Sequence, residues 1–230
     1  MMTQVKVCGL RREEDANIVN ACMPDFVGFV FAPSKRRVNA QEAKCIRDQL
    51  HPQISCVGVF TQTTVDEIVS TTTFVGLDVI QLHWDTNENF LNDLFAAFSQ
   101  ASISGVKIWQ RIPIPSQESQ EEEYWRRIHN MPHLSRFDAL LFDISVEHSD
   151  GGSGIAFPWD IGKCFYDSLI LENRCIFIAG GIGPINVEDT VRHFSPYGVD
   201  ASSLLETNSY KDYDKVCDFV RVARQAGSDS

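Results

Sequence analysis

The first apolar run of the chain, Val5-Lys6-Val7-Cys8-Gly9, ends on a thiol beside a glycine. Most cysteines fill space in a core. A thiol at the tip of a strand, with no side chain following it, is placed to face a ligand instead. Other runs end on polar groups too. Asp143 lies near the close of Ala139-Leu140-Leu141-Phe142-Asp143-Ile144, His83 closes Val79-Ile80-Gln81-Leu82-His83, and Lys35-Arg36-Arg37 follows the run 26–31. Gly180-Gly181 and Ser202-Ser203 end the last two runs, with Asp200 just ahead of the serines. A thiol, a carboxyl group and a basic loop together suit proton transfer on an anion. A free thiol titrates near ~8.5, and nearby positive charge lowers that value. A carboxyl serves as an acid near neutrality when it is partly desolvated or lies beside another negative charge. A guanidinium meets a carboxylate with two parallel hydrogen bonds. A Gly-Gly pair alone is a tight turn. Followed by a Ser-Ser strand end, it is a set of backbone amides that a phosphate can approach.

These residues act together only if the chain brings the ends of its apolar runs to one place. There are eight such runs: 5–9, 26–31, 55–60, 79–83, 106–112, 139–144, 175–181 and 198–203. Most are near-continuous rather than alternating, the pattern of parallel strands buried on both faces. Segments of helical spacing lie between them, over 12–22, 39–50, 64–72, 87–100, 120–131, 158–170, 184–194 and 211–225. Asn39 is a good N-cap, and Pro158 and Pro184 suit a first helical turn. Strands alternating with helices imply βαβ units and a parallel sheet. Eight units in 230 residues fit one (β/α)8 barrel domain over 1–230, with 226–230 as a frayed tail, better than a doubly wound sheet. In such a barrel ligands bind at the C-terminal ends of the strands, where Cys8, His83, Asp143, Gly180, Gly181, Ser202 and Ser203 fall.

Composition narrows the partners. The net charge of −11 argues against an electrostatic nucleic-acid binder, though a small anion needs only a few local donors. No run of eighteen apolar residues predicts a membrane span, and the N-terminus enters a strand without signal-peptide character. Seven cysteines without a CxxC pair speak against a zinc site or a disulfide framework and fit a reducing cytoplasm. All except Cys8 (Cys22, Cys45, Cys56, Cys164, Cys175 and Cys217) read as packing residues of helices and strands.

The stretches VKVCGL, VGFVFAPSKRRV, VGVF, VIQLH, DALLFDIS, GGSGIAFPW, IFIAGGIGPINV and VDASSLLE occur in an order and spacing that resemble the phosphoribosylanthranilate isomerase family of tryptophan biosynthesis. The resemblance covers nearly the whole chain. It implies a TIM barrel that performs the Amadori rearrangement of N-(5-phosphoribosyl)anthranilate to 1-(2-carboxyphenylamino)-1-deoxyribulose 5-phosphate, without metal or redox cofactor. By the same resemblance Cys8 is the general base and Asp143 the general acid. Arg36 holds the anthranilate carboxylate, with Arg37 the alternative if the register slips by one. Gly180, Gly181, Ser202 and Ser203 bind the phosphate, Asp200 lies near the sugar, and His83 is either a ligand contact or structural. The partner is then a small anionic phosphosugar, and the enzyme a monomer or a homodimer.

The chain departs from the family pattern in three places. Trp84 and Leu204 stand where glycine is usual, and Gln110 and Arg111 stand where the family is usually small and apolar. A tryptophan forced into a glycine conformation would strain its turn; otherwise its ring could line the aromatic pocket. Leu204 would narrow the approach to the phosphate site. Arg111 is either a second anion anchor or points outward. A phosphosugar-binding barrel of the same family with little or no turnover is the competing expectation.

Overall fold

A computed structural model of the chain describes residues 2–114, 126, 128, 133–143, 166 and 175–228. Eight parallel strands form a closed barrel in chain order. They are β1 (Gln4–Cys8), β2 (Phe26–Val30), β3 (Ser55–Phe60), β4 (Val79–Leu82), β5 (Lys107–Pro113), β6 (Ala139–Asp143), β7 (Ile176–Ala179) and β8 (Gly198–Ala201). Each pairs with the next, and β1 closes the ring by pairing with β8, Lys6 lying opposite Asp200.

The near-continuous apolar runs are explained by two separate cores. One set of strand side chains, including Val5 and Val7, packs outward against the helices. The alternate set fills the barrel interior: Phe26, Val57, Val59, Val79, Trp109, Ala139, Leu141, Phe177 and Ala179, with Cys8 among them. Phe26, Trp109 and Phe177 meet with ring centroids 4.5–5.7 Å apart and plug the barrel. The strand period of two then carries the interior face onward from this plug. Two residues past Trp109 comes Arg111, two past Leu141 comes Asp143, and two past Val79 come Gln81 and then His83. Polar groups thus sit in a layer above an apolar floor.

The helices described are α1 (Glu13–Cys22), α2 (Ala40–Arg47), α3 (Val65–Val75), α4 (Glu88–Gln100), α5 (Val187–Phe194) and α6 (Tyr213–Ser228). Asn39 caps α2 as its type predicts: its side chain accepts from the Glu42 amide at 2.9 Å, and Glu42 accepts from the Asn39 amide at 2.8 Å. Among the described residues no helix is long and apolar enough to cross a membrane.

The structure corrects several sequence-based expectations. Pro184 precedes α5 by three residues, and Asn186 takes the N-cap position. Lys211 is not helical. It belongs to a two-stranded hairpin, β9 (Glu206–Thr207) and β10 (Tyr210–Lys211), reached through a short 3-10 turn at Ser203–Leu205. Helix α6 runs to Ser228 with Ala226 buried, so the stretch expected to fray is helical as far as that residue. Cys22 packs against the core but is joined to Cys217 by a disulfide between α1 and α6, which the cysteine pattern did not lead one to expect, and Cys45 is exposed rather than a packing residue. The helices expected over 120–131 and 158–170, Pro158, and the glycine-rich stretch Asp150–Gly154 lie outside the described residues, apart from Arg126, Ile128 and Tyr166, which are helical.

Candidate active site

Cys8 sits at the end of β1, pointing into the barrel and only 8% exposed. Its space is made by Gly28 on β2, where a Cβ would lie 2.6 Å from the sulfur. The next residue, Gly9, has φ +86°, and a Cβ there would stand 2.6 Å from Arg36 Cδ. This glycine makes room for the arginine, because L side chains rarely adopt that backbone conformation and no space exists for one.

Arg36 is half-buried and turned toward Glu206, and Arg37 is exposed. Arg36 donates from Nε to Glu206 at 2.6 Å and from a terminal nitrogen to the other Glu206 oxygen at 2.9 Å. Glu206 also accepts from Lys211 Nζ at 3.0 Å. Burial pushes the Glu206 carboxyl up, but its bonds to Arg36 and Lys211 outweigh that and hold it below the usual range. Both Glu206 and Lys211 come from the β9–β10 hairpin, which sequence reasoning missed. Two-residue strands carry no period, but the Asn208-Ser209 turn between them, with both residues at positive φ, was a usable hairpin signal.

Lys6 shares the interior face of β1 with Cys8. Its side chain is fully buried, and it donates to Asp200 Oδ2 at 2.9 Å. The other Asp200 oxygen is buried without a hydrogen-bond partner among the described residues. Burial pushes the Lys6 ammonium down, and the charges of Asp200 and Cys8 outweigh it, so the group is held above its ordinary value. Ser202 donates its hydroxyl to the Cys8 carbonyl at 2.9 Å, and the Ser202 carbonyl accepts from Lys211 at 3.0 Å. Ser203 is exposed at the start of the 3-10 turn.

Across the mouth, Asp143 ends β6 and accepts from Arg111 Nε at 2.7 Å. Arg111 therefore points inward. His83, two residues beyond Gln81 and in contact with its amide, is pushed down to about 3 by burial and by the Arg111 and Lys6 charges, so its imidazole is neutral at pH 7. After β7, Gly180 and Gly181 both have positive φ, at 91° and 64°. Asn186 ties this loop by accepting from the Gly183 amide at 2.8 Å and donating to the Gly181 carbonyl at 2.9 Å. Sequence reasoning did not single it out.

The departures fit without strain. Trp84 has no positive φ, and its ring meets Phe90 edge-on at 5.2 Å. Leu204 packs against Gly183, where a Cβ would be 2.7 Å from its own. Among the residues named here, four cations (Lys6, Arg36, Arg111 and Lys211) face three carboxylates (Asp143, Asp200 and Glu206). Among these seven the cations outnumber the carboxylates by one, in a protein of net charge −11. Among the described residues no group of three or more His, Cys, Asp or Glu side chains could hold a metal ion.

A model of the N-(5′-phosphoribosyl)anthranilate (PRA) isomerase family matches residues 5–222. The chain belongs to this family. The N-(5′-phosphoribosyl)anthranilate isomerase of Acetivibrio thermocellus is 36% identical over 227 residues, spanning 98% of this chain and 97% of that one. That of Clostridium acetobutylicum is 35% identical, over 97% of this chain and 99% of the other. Among solved structures, phosphoribosyl anthranilate isomerase from Thermotoga maritima superposes with a TM-score of 0.80 at 28% identity, covering 97% of this chain and all of that one. A structure of phosphoribosyl anthranilate isomerase in complex with reduced 1-(o-carboxyphenylamino)-1-deoxyribulose 5-phosphate gives a TM-score of 0.78 at 26% identity with the same coverage. The isomerase family's barrel is thus the barrel seen here, and Cys8, Arg36, Asp143, Gly180, Gly181, Asp200 and Ser202 converge on its C-terminal mouth.

Proposed function

We propose that this chain is the isomerase that converts N-(5′-phosphoribosyl)anthranilate to 1-(2-carboxyphenylamino)-1-deoxyribulose 5-phosphate in tryptophan biosynthesis, with one barrel domain as its catalytic unit. Membership of the isomerase family supports the reaction. The observation that carries the roles is the placement of Cys8 and Asp143 on opposite sides of one barrel mouth.

The rearrangement starts with the ribose ring. Asp143 gives a proton to the ring oxygen, the C1–O bond breaks and an iminium forms at nitrogen. That charge acidifies the C2 hydrogen. Cys8 removes it as a thiolate, and the electron pair forms the C1–C2 double bond of an enolamine, which tautomerises to the ketone. Arg36 receives the anthranilate carboxylate, and the amides at Gly180, Gly181, Ser202 and Ser203 receive the phosphate. The unpartnered oxygen of Asp200 accepts from a ribose hydroxyl. Neutral His83, against Gln81, adds no charge to the site. We place the enzyme in the cytoplasm, where Cys22 and Cys217 would stand reduced.

Replacing Cys8→Ser or Asp143→Asn removes the base or the acid. Each is expected to lower kcat by about 10²–10⁴-fold, with the far-ultraviolet circular dichroism unchanged. A folded variant that keeps near-native turnover overturns the role assigned to that residue.

A further inference from the structure

The base must be a thiolate when the C2 proton leaves, and its surroundings oppose this. Burial is the largest influence on Cys8 and pushes its thiol up. Four charged groups act on the sulfur: Lys6 from its own strand, Asp200 from β8, Lys211 from β10, and Arg36 from the loop after β2. The neighbouring strand β2 contributes only Gly28 at the point of contact. Across the mouth, Arg111 on β5 and Asp143 on β6 are paired with each other, and His83 is neutral.

These cations are not equivalent. Arg36 and Lys211 reach the site from other elements, the loop after β2 and β10, and share Glu206. Lys6 is different in three ways. It is two residues from Cys8 on the same strand face, it is fully buried, and it is tied to one carboxylate oxygen of Asp200.

Resting on the assignment of Cys8 as base, we propose that Lys6 is a positioning residue for it: the buried ammonium, tethered by Asp200, stands beside the sulfur and stabilises the thiolate that takes the C2 proton. In the step itself the C2–H bond breaks and an S–H bond forms. The electron pair moves into the C1–C2 bond and neutralises the iminium nitrogen. Lys6 neither gives nor accepts a proton. The Asp200 tether keeps the ammonium from swinging toward the substrate's phosphate.

The test uses the purified full chain, Lys6→Met, Lys6→Arg, and the double variant Lys6→Met/Asp200→Asn. Two pH profiles are measured on each: iodoacetamide alkylation of Cys8, resolved from the exposed Cys45 by peptide mass spectrometry, and kcat/KM. In Lys6→Met the alkylation midpoint and the acidic limb of kcat/KM both move up by about one pH unit or more. At neutral pH kcat then falls about tenfold and recovers as the pH rises, while KM stays close to the parent value. Lys6→Arg restores most of the shift. Should Lys6→Met fail to fold because Asp200 is left charged and alone, the double variant removes both charges. Its midpoint is still expected above the parent's, because Lys6 lies two residues from Cys8 on the same strand face, whereas Asp200 reaches the site from β8. A folded variant whose midpoint and limb coincide with the parent's shows a structural role only and overturns the proposal. A parent protein without isomerase turnover, but with a Lys6-dependent alkylation midpoint, refutes the isomerase reading and leaves the Lys6–Cys8 coupling standing.

Discussion

At the scale of single residues, the site is shaped as much by missing side chains as by the reactive ones. Gly9 gives Arg36 its room, and Gly28 gives the Cys8 sulfur its room. Gly9→Ala adds a methyl group where φ is +86° and the Arg36 side chain already passes. It is expected to displace Arg36 from Glu206, raise KM several-fold and cost about 1–3 kcal/mol of stability, read by steady-state kinetics and thermal melting. An unchanged KM and melting temperature would contradict this placement. The positions of Cys8, Asp143 and the Gly180-Gly181 pair were legible because each ends an apolar run. Which of Arg36 and Arg37 bonds Glu206 was not legible, since both are arginines in a polar stretch. Lys6 was visible as a charge within an apolar run, but its partner Asp200 is 194 residues away.

At the scale of elements, β and α segments were legible because their hydrophobic periods differ, and the observed strand ends fall within two residues of the apolar runs. The β9–β10 hairpin was not, since its strands are too short to show a pattern, although it supplies Glu206 and Lys211 to the mouth. The Cys22–Cys217 bond was illegible for another reason: sequence gives no pairing between thiols 195 residues apart. It staples α1 to α6, the first and last helices of the barrel. Closing a loop of that length restricts the unfolded chain, so Cys217→Ala under oxidising conditions is expected to lose about 2–4 kcal/mol, measured by denaturant unfolding with and without reductant. Because both cysteines lie on outer helices, reduction should leave kcat unaltered. Equal stability of the oxidised parent and the variant would contradict a contribution from this bond.

At the scale of the whole molecule, a closed parallel barrel places every strand's C-terminal end in one ring, which is why a thiol on β1 and a carboxyl group on β6 can serve one substrate. The ring also buries His83 beside cations. In the folded protein burial, and then the Arg111 and Lys6 charges, hold its imidazole down to about 3, whereas in the unfolded chain it titrates near ~6.5. Between these values the unfolded state binds the extra proton, so this stabilisation is complete above about pH 6.5 and is lost as pH falls toward about 3. The slope is at most about 1.4 kcal/mol per pH unit. His83→Asn is expected to flatten the acid dependence of stability by that amount. Parallel curves for the parent and the variant would show that His83 is not held neutral.

All of these roles depend on this barrel mouth isomerising a phosphoribosylated anthranilate. The direct measurement follows the fluorescence of N-(5′-phosphoribosyl)anthranilate after addition of the purified chain, with the product identified by mass and chromatography. Catalytic consumption that yields 1-(2-carboxyphenylamino)-1-deoxyribulose 5-phosphate, and that disappears in Cys8→Ser, is the predicted result. Binding of the substrate or product without turnover would contradict it and would leave the chain a phosphosugar-binding barrel.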